Sequence, residues 1–77
     1  MVRYYFDFHD GDGVARDETG QDLDSIEAVR KSAVTAAGEA LRDVTLSGQE
    51  ANVAIEVRDG SGPVMTVEGT VVIKRAG

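Results

Sequence analysis

Eight residues near the start of the chain alternate between two kinds of side chain. The first set is apolar or aromatic: Val2, Tyr4, Phe6 and Phe8. The second set is mostly polar: Arg3, Tyr5, Asp7 and His9. A period of two is typical of a strand with one buried face. Because all the tyrosines and phenylalanines of the chain lie in this segment, we expect the strand at 2–9 to supply much of the bulk of the core.

A helical pattern covers residues 25–46. Apolar residues recur there at intervals of three or four, as in a helix that buries one face: Ile26, Val29, Ala33, Ala36, Ala40, Leu41 and Val44. The carboxylate of Asp24 is expected to cap the first turn, with Glu27 as the second member of a capping box. Ser47-Gly48 is expected to end the helix.

Three further strands complete the predicted fold. A short strand at 13–17 follows a turn at Asp10-Gly11, and strands at 52–58 and 64–74 flank a turn at Asp59-Gly60. Since the helix returns the chain across one face, the third strand can pair antiparallel with the first. The sequence therefore predicts an α+β fold, ββαββ, with a four-stranded antiparallel sheet of order 2-1-3-4 and one long helix on one face. A chain of 77 residues is expected to form a single domain, 1–77.

The net charge of −6 is concentrated between Asp7 and Asp24, where seven carboxylates accompany one base, Arg16. This charge opposes binding to nucleic acids and to anionic membranes, so neither is an expected partner. The chain has no cysteine, which excludes a disulfide framework and a thiolate metal site. No apolar run is long enough for a signal peptide or a membrane span, and we expect a cytoplasmic protein.

The acidic segment also suggests a calcium site. Counted from Asp10, an EF-hand loop would need an oxygen ligand at Val14 and glycine at Ala15, so the standard pattern fails. A non-standard site would use four acidic residues: Asp10, Asp12, Asp17 and Glu18. Turn formation and the helix start account for Asp10, Asp12, Asp22 and Asp24, so the main expectation is no metal and no cofactor. Asp17 and Glu18 are left without a structural role.

Catalysis finds little support in the sequence. His9 is the only histidine, which excludes a histidine-rich zinc site, and no spacing suggests a Ser/His/Asp triad. The carboxylates crowd a turn that we expect to be exposed, whereas paired-carboxylate catalysis requires a pocket that separates their pKa values. We therefore expect a protein that is not an enzyme.

The sheet face opposite the helix is the expected contact surface. Tyr5 lies there beside Arg3 and Arg58, which is a composition typical of protein interfaces. Together with the acidic residues that lack a structural role, this face gives the predicted partner-binding residues: Arg3, Tyr5, Asp7, His9, Asp17, Glu18, Glu56 and Arg58.

Several stretches of the chain resemble a known family. They are Arg3-Tyr4-Tyr5-Phe6-Asp7-Phe8, Asp10-Gly11, Asp17-Glu18-x-Gly20, Leu23 and Ile55-Glu56-Val57-Arg58-Asp59. Residues 2–67 resemble small alphaproteobacterial proteins that begin Arg-Tyr-Tyr-Phe-Asp and are known as a domain of unknown function. The resemblance implies no activity, cofactor or catalytic residue. Residues 68–77 extend beyond it, so the last strand is expected to be longer or to pair with another chain.

Three functions remain open from the sequence. The leading one is a protein-binding or regulatory module, with a homodimer as one arrangement. The first alternative is an acidic, antitoxin-like inhibitor whose residues 7–24 mask a basic partner. The second is a calcium-binding module that uses the acidic loop at 10–18.

Overall fold

The computed structural model describes residues 1–11, 13–48 and 50–77, and its sheet is built around the first strand. The elements follow in the order β1 (Val2–Asp10), β2 (Gly13–Ala15), β3 (Gln21–Leu23), α1 (Ile26–Leu46), β4 (Ala51–Asp59) and β5 (Gly62–Val71). All strand pairs are antiparallel. The prediction of an α+β fold with one helix and an antiparallel sheet is confirmed.

The predicted number of strands is wrong, because the described residues form a sheet of five strands and not four. Its order is β2-β1-β4-β5, and β3 pairs with β1 as well. The predicted second strand at 13–17 ends at Ala15, and a further strand forms at Gln21–Leu23. The element order is therefore βββαββ and not ββαββ. A strand of three residues is too short for alternation to reveal it, and β3 was therefore not predicted.

The core lies between the helix and the middle of the sheet. The helix packs over β4 and β5. Its buried side chains are those of Val29, Ala33 and Ala37, and they meet Val53, Ile55 and Val57 of β4. The aromatic side chains of β1 pack against this cluster and are only partly buried: Tyr4, Phe6 and Phe8. The valines of β4 and not the aromatics of β1 thus form the centre of the core.

The N-cap of the helix lies one residue later than predicted. Ser25 and not Asp24 is the N-cap, and its Oγ accepts a hydrogen bond from Ala28 N at 3.1 Å. Glu27 pairs with Arg30 on the exposed side instead of completing a capping box. The end at Ser47-Gly48 is as predicted, since Gly48 has φ of +95° and its N–H donates to Thr45 O.

The last strand is shorter than predicted at its carboxyl end. It stops at Val71, which pairs with Ala51, the first residue of β4. Residues beyond Val71 have therefore passed the end of β4, and Val72 and Ile73 remain 57% and 50% exposed. Within the described ranges, no helix is long and apolar enough to cross a membrane.

Candidate functional site

One face of the sheet is not covered by the helix. Pairing between β1 and β4 places Tyr5 opposite Arg58 and Asp7 opposite Glu56, so these side chains lie on the same face. We call this surface the open face, and its residues on β1 and β4 include Arg3, Tyr5, Asp7, His9, Glu56 and Arg58. Six of the eight predicted partner-binding residues therefore share one surface.

The outer edge of β1 is only partly paired with strands. β3 pairs with residues 2–4 and β2 with residues 8–10, which leaves Tyr5, Phe6 and Asp7 without a strand on that side. Residues 16–20 lie alongside this gap. We call β2, residues 16–20 and β3 together the closed edge.

Asp17 fills the gap with both its side chain and its backbone. Its Oδ2 accepts the hydrogen bond of Phe6 N at 3.1 Å, in place of a strand carbonyl. Its Oδ1 accepts from Thr19 N at 3.0 Å and from Gly20 N at 3.1 Å, which forms the turn into β3. Its own N–H donates to Asp7 Oδ1 at 2.9 Å. Asp17 therefore ties the loop to β1, and the expectation that it has no structural role is wrong.

Arg58 reaches across β1 from the other side. Its Nε donates to Asp7 Oδ2 at 2.9 Å and its Nη2 to Asp7 Oδ1 at 3.4 Å. The same Nη2 donates to Asp17 O at 2.8 Å. The guanidinium carbon lies 4.5 Å from the centre of the Tyr5 ring, which is cation–π geometry. We call these residues the Asp7–Asp17–Arg58 cluster.

Both carboxyl groups of the cluster are held in the ionised form. The hydrogen bond from Arg58 lowers the pKa of Asp7 and outweighs the opposing effect of burial, and the N–H of Asp17 adds to it. Burial alone would raise the pKa of Asp17, but the N–H groups of Phe6, Gly20 and Thr19 together lower it. Asp7 is only 7% exposed, so its charge depends on these partners.

A second arginine holds the other end of the loop. Arg3 forms an ion pair with Asp22 of β3 at 3.2 Å and donates to the carbonyl oxygen of Thr19. Gly20, between these partners, has φ of +75°. A Cβ atom there would lie 2.9 Å from Tyr4 O and 3.0 Å from the Tyr5 ring, so only glycine fits without displacement. Asp22 thus belongs to β3 and not to the helix start.

The remaining predicted residues occupy more exposed positions. His9 Nε2 lies 2.7 Å from Glu56 Oε2 on the open face. Glu18 is exposed on the loop beside Asp17. Neither residue belongs to the Asp7–Asp17–Arg58 cluster.

Three of the four candidate calcium ligands lie among the described residues, and their surroundings differ. Asp10 Oδ1 accepts from Gly13 N at 3.1 Å in the turn between β1 and β2, and Asp17 directs both oxygens at backbone N–H groups. Asp12 lies outside the described residues. Among residues 1–11, 13–48 and 50–77, no group of three or more His, Asp or Glu side chains is arranged to hold a metal ion.

Sequence reasoning named Gly20 but missed its close packing against Tyr4 and Tyr5, and it missed the connection from Asp17 to Phe6. A signal for the turn at Gly20 was present, because Asp17 followed by Thr19-Gly20 is the pattern of a turn in which an aspartate accepts backbone N–H groups ahead of it. The second contact joins residues that are eleven positions apart, and no local pattern predicts it.

Comparison with known proteins gives one match. A family model described as "Domain of unknown function (DUF6894)" matches residues 3–70. Neither the curated proteins nor the solved structures contain a match to the chain.

Proposed function

The chain belongs to the DUF6894 family, a domain of unknown function, and from the geometry of its site we propose that it is a non-enzymatic protein-binding module that binds through the open face. The observation that carries this proposal is the fixed Tyr5–Arg58 pair on a sheet face that the helix leaves uncovered. Tyrosine and arginine are among the residue types most enriched at the hot spots of protein interfaces.

The pair is held in place before any partner binds. Arg58 donates to both oxygens of Asp7 and to Asp17 O, while its side chain remains 25% exposed. A long side chain that is already ordered loses little conformational entropy when a partner covers it. The cluster therefore supports a preformed contact site built on the Tyr5–Arg58 pair.

The surrounding charges favour the open face over the acidic segment as the contact surface. Asp7, Asp17 and Asp22 accept hydrogen bonds within the chain from Arg58, Phe6 N and Arg3. These carboxylates are thus partly neutralised, which leaves less charge for a basic partner. Masking of a basic protein by residues 7–24 is the alternative proposal, and it predicts binding that depends strongly on salt.

The test is affinity capture from native lysate with the immobilised full chain. Thr66→Arg places a long charged side chain on the open face, because Thr66 pairs with Glu56. Thr35→Arg is the matched control on the exposed side of the helix. We expect proteins bound by the wild type and by Thr35→Arg to be lost with Thr66→Arg. Capture that survives Thr66→Arg contradicts the proposal, and its loss in high salt would then favour the acidic segment.

A further inference from the structure

The outer side of β5 is the second edge of the sheet. Among the described residues, β5 pairs only with β4, and its ten residues, Gly62–Val71, leave a row of backbone groups facing outward. We call the outer side of β5, together with residues 72–75, the open edge. Natural proteins protect such edges from unwanted pairing with proline, charge, bulges or short strands.

The proline and the bulge that protect the open edge both lie in its first part. Pro63 lies near its start, and Val64 is an extra residue in the ladder, because Arg58 pairs with Pro63 while Val57 pairs with Met65. Such a bulge bends and twists the strand. The second part has neither device, and Thr70-Val71-Val72-Ile73 is an unbroken run of β-branched residues with high strand propensity.

Within the described part of the chain, residues after Val71 also lack a strand neighbour on the inner side. β4 begins at Ala51, opposite Val71. Val72 and Ile73 lie beyond that point and are half exposed, although Ile73 N donates to Glu50 Oε1 at 3.3 Å. Val72 and Ile73 therefore form an exposed apolar segment whose backbone is available to pair with another strand.

We propose that the open edge pairs antiparallel with the open edge of a second copy of this chain, about a two-fold axis at Val71. Directly opposed residues of two strands share a face, and Glu68 and Lys74 both fall on the open-face side by alternation from Val71. The axis at Val71 sets Glu68 of each copy opposite Lys74 of the other. An axis at Glu68 would oppose two carboxylates, and an axis at Thr70 would oppose Glu68 with Val72. Charge complementarity thus selects both the partner and the register.

This pairing goes beyond the proposed function, because it uses the edge of the sheet and not its face. A two-fold axis perpendicular to the sheet keeps both helices on one side. The two open faces would then form one continuous surface, so that the dimer presents two copies of the Tyr5–Arg58 pair to a partner.

The first test measures the mass of the full chain by light scattering over a wide range of concentration. The wild type is expected to change from 8.2 kDa to twice that mass. Val72→Pro removes an N–H from the paired segment of each copy without altering β5 itself, and we expect it to raise the dissociation constant by roughly a hundredfold or more. Ala76→Pro, in the same tail, falls opposite Thr66 at the end of the paired segment. It is the comparison variant, and its expected effect is much smaller than that of Val72→Pro.

The second test examines the register by charge exchange. Glu68→Lys and Lys74→Glu each oppose like charges twice in the dimer, and we expect each to weaken association by about tenfold. The double variant restores the pairs and is expected to recover wild-type association. Glu39→Lys, on the exposed side of the helix, changes the net charge as Glu68→Lys does and serves as the control.

A chain that stays monomeric up to millimolar concentration would overturn the proposal. A dimer that survives Val72→Pro would place the interface elsewhere, and a double variant that remains weak would overturn the register. None of these results bears on the capture experiment with Thr66→Arg, so the binding module and the dimer can fail separately.

Discussion

The two edges of this sheet are completed in opposite ways. The closed edge consists of two strands of three residues each, with a loop between them. Between the two strands, the Asp17 side chain supplies the hydrogen-bond acceptor that a strand carbonyl would otherwise have supplied. The open edge is the outer side of one strand of ten residues, with a bulge near its start, and of residues 72–75, and it has no described strand neighbour there. The closed edge depends on tertiary contacts made by charged groups, whereas the open edge is held by backbone pairing with β4 and by apolar packing under the helix. Substitutions should therefore destabilise the folded monomer at the first edge and affect mainly association at the second.

The largest expected effect is that of Asp17→Ala. The change removes the acceptor for the N–H groups of Phe6, Thr19 and Gly20. An unsatisfied buried donor costs about 1–3 kcal/mol, and the N–H groups of Phe6 and Gly20 are both part-buried. We expect the free energy of unfolding, measured by urea denaturation, to fall by about 3 kcal/mol.

Glu18→Ala is the matched control, because Glu18 is the adjacent acidic residue and is exposed. Its expected effect is within about 0.5 kcal/mol, as for most surface substitutions. Equal effects of the two changes would contradict the view that the closed edge depends on Asp17. The Phe6 amide gives a local measurement, since its hydrogen exchange should accelerate more in Asp17→Ala than that of amides in β4.

The second expected effect is that of Gly20→Ala. The new Cβ would approach Tyr4 O and the Tyr5 ring in a backbone conformation that favours glycine, so the loop must move. We expect a loss of about 2 kcal/mol in the free energy of unfolding. A shift of the Tyr5 ring signals in the NMR spectrum should accompany this loss.

Gly38→Ala provides the opposite control. Gly38 is in the helix and has open space where a Cβ would lie, so alanine should stabilise the chain by about 0.5–1 kcal/mol through helix propensity. A loss of stability with Gly38→Ala, or none with Gly20→Ala, would contradict the distinction between the two glycines.

The sequence predicted the regular parts of the molecule and failed at the closed edge for a physical reason. Alternation in β1 and the three-to-four spacing in the helix reflect burial of one face along a whole element, so residues 2–9 and 25–46 could be recognised. β3 has only three residues, and its place depends on the pairing of Arg3 with Asp22 across nineteen positions. Contacts between distant polar side chains leave no periodic signal.

The candidate site was predicted in the same uneven way. Placement of Arg3, Tyr5, Asp7 and His9 on one face follows from alternation alone, and the structure places them so. The role of Asp17 could not be deduced, because its partners Phe6, Asp7 and Arg58 come together only when β1, the loop and β4 have all taken their positions. The concentration of charge thus identified residues 7–24 as a candidate site, but it did not show which groups their carboxylates contact.

The third prediction concerns the dependence of stability on pH. The pKa of Asp7 is lowered in the folded chain by Arg58, and that of Asp17 by its N–H donors against the effect of burial. The unfolded chain therefore takes up protons first as the pH falls. The stability that these groups confer is complete above about pH 5 and is lost as the pH falls through the folded pKa values.

Asp17→Asn should therefore be less stable than the wild type at neutral pH, and its stability should fall less steeply below about pH 5. Urea denaturation at a series of pH values measures this slope. Asp24→Asn, at an exposed carboxylate of the same acidic segment, is expected to keep the wild-type slope. A wild-type slope in Asp17→Asn would show that acid sensitivity arises outside the closed edge.

The smallest expected effect lies at the open edge. Val72 follows the last residue of β5 and is 57% exposed, so Val72→Pro removes no pairing between β4 and β5. We expect the free energy of unfolding to change by less than about 0.5 kcal/mol, measured where light scattering gives the mass of the monomer. A substitution that abolishes association without weakening the monomer would show that the open edge contributes to assembly and not to folding. A loss comparable to that of Asp17→Ala would instead show that residues after Val71 stabilise the monomer, and the contrast between the two edges would then be wrong.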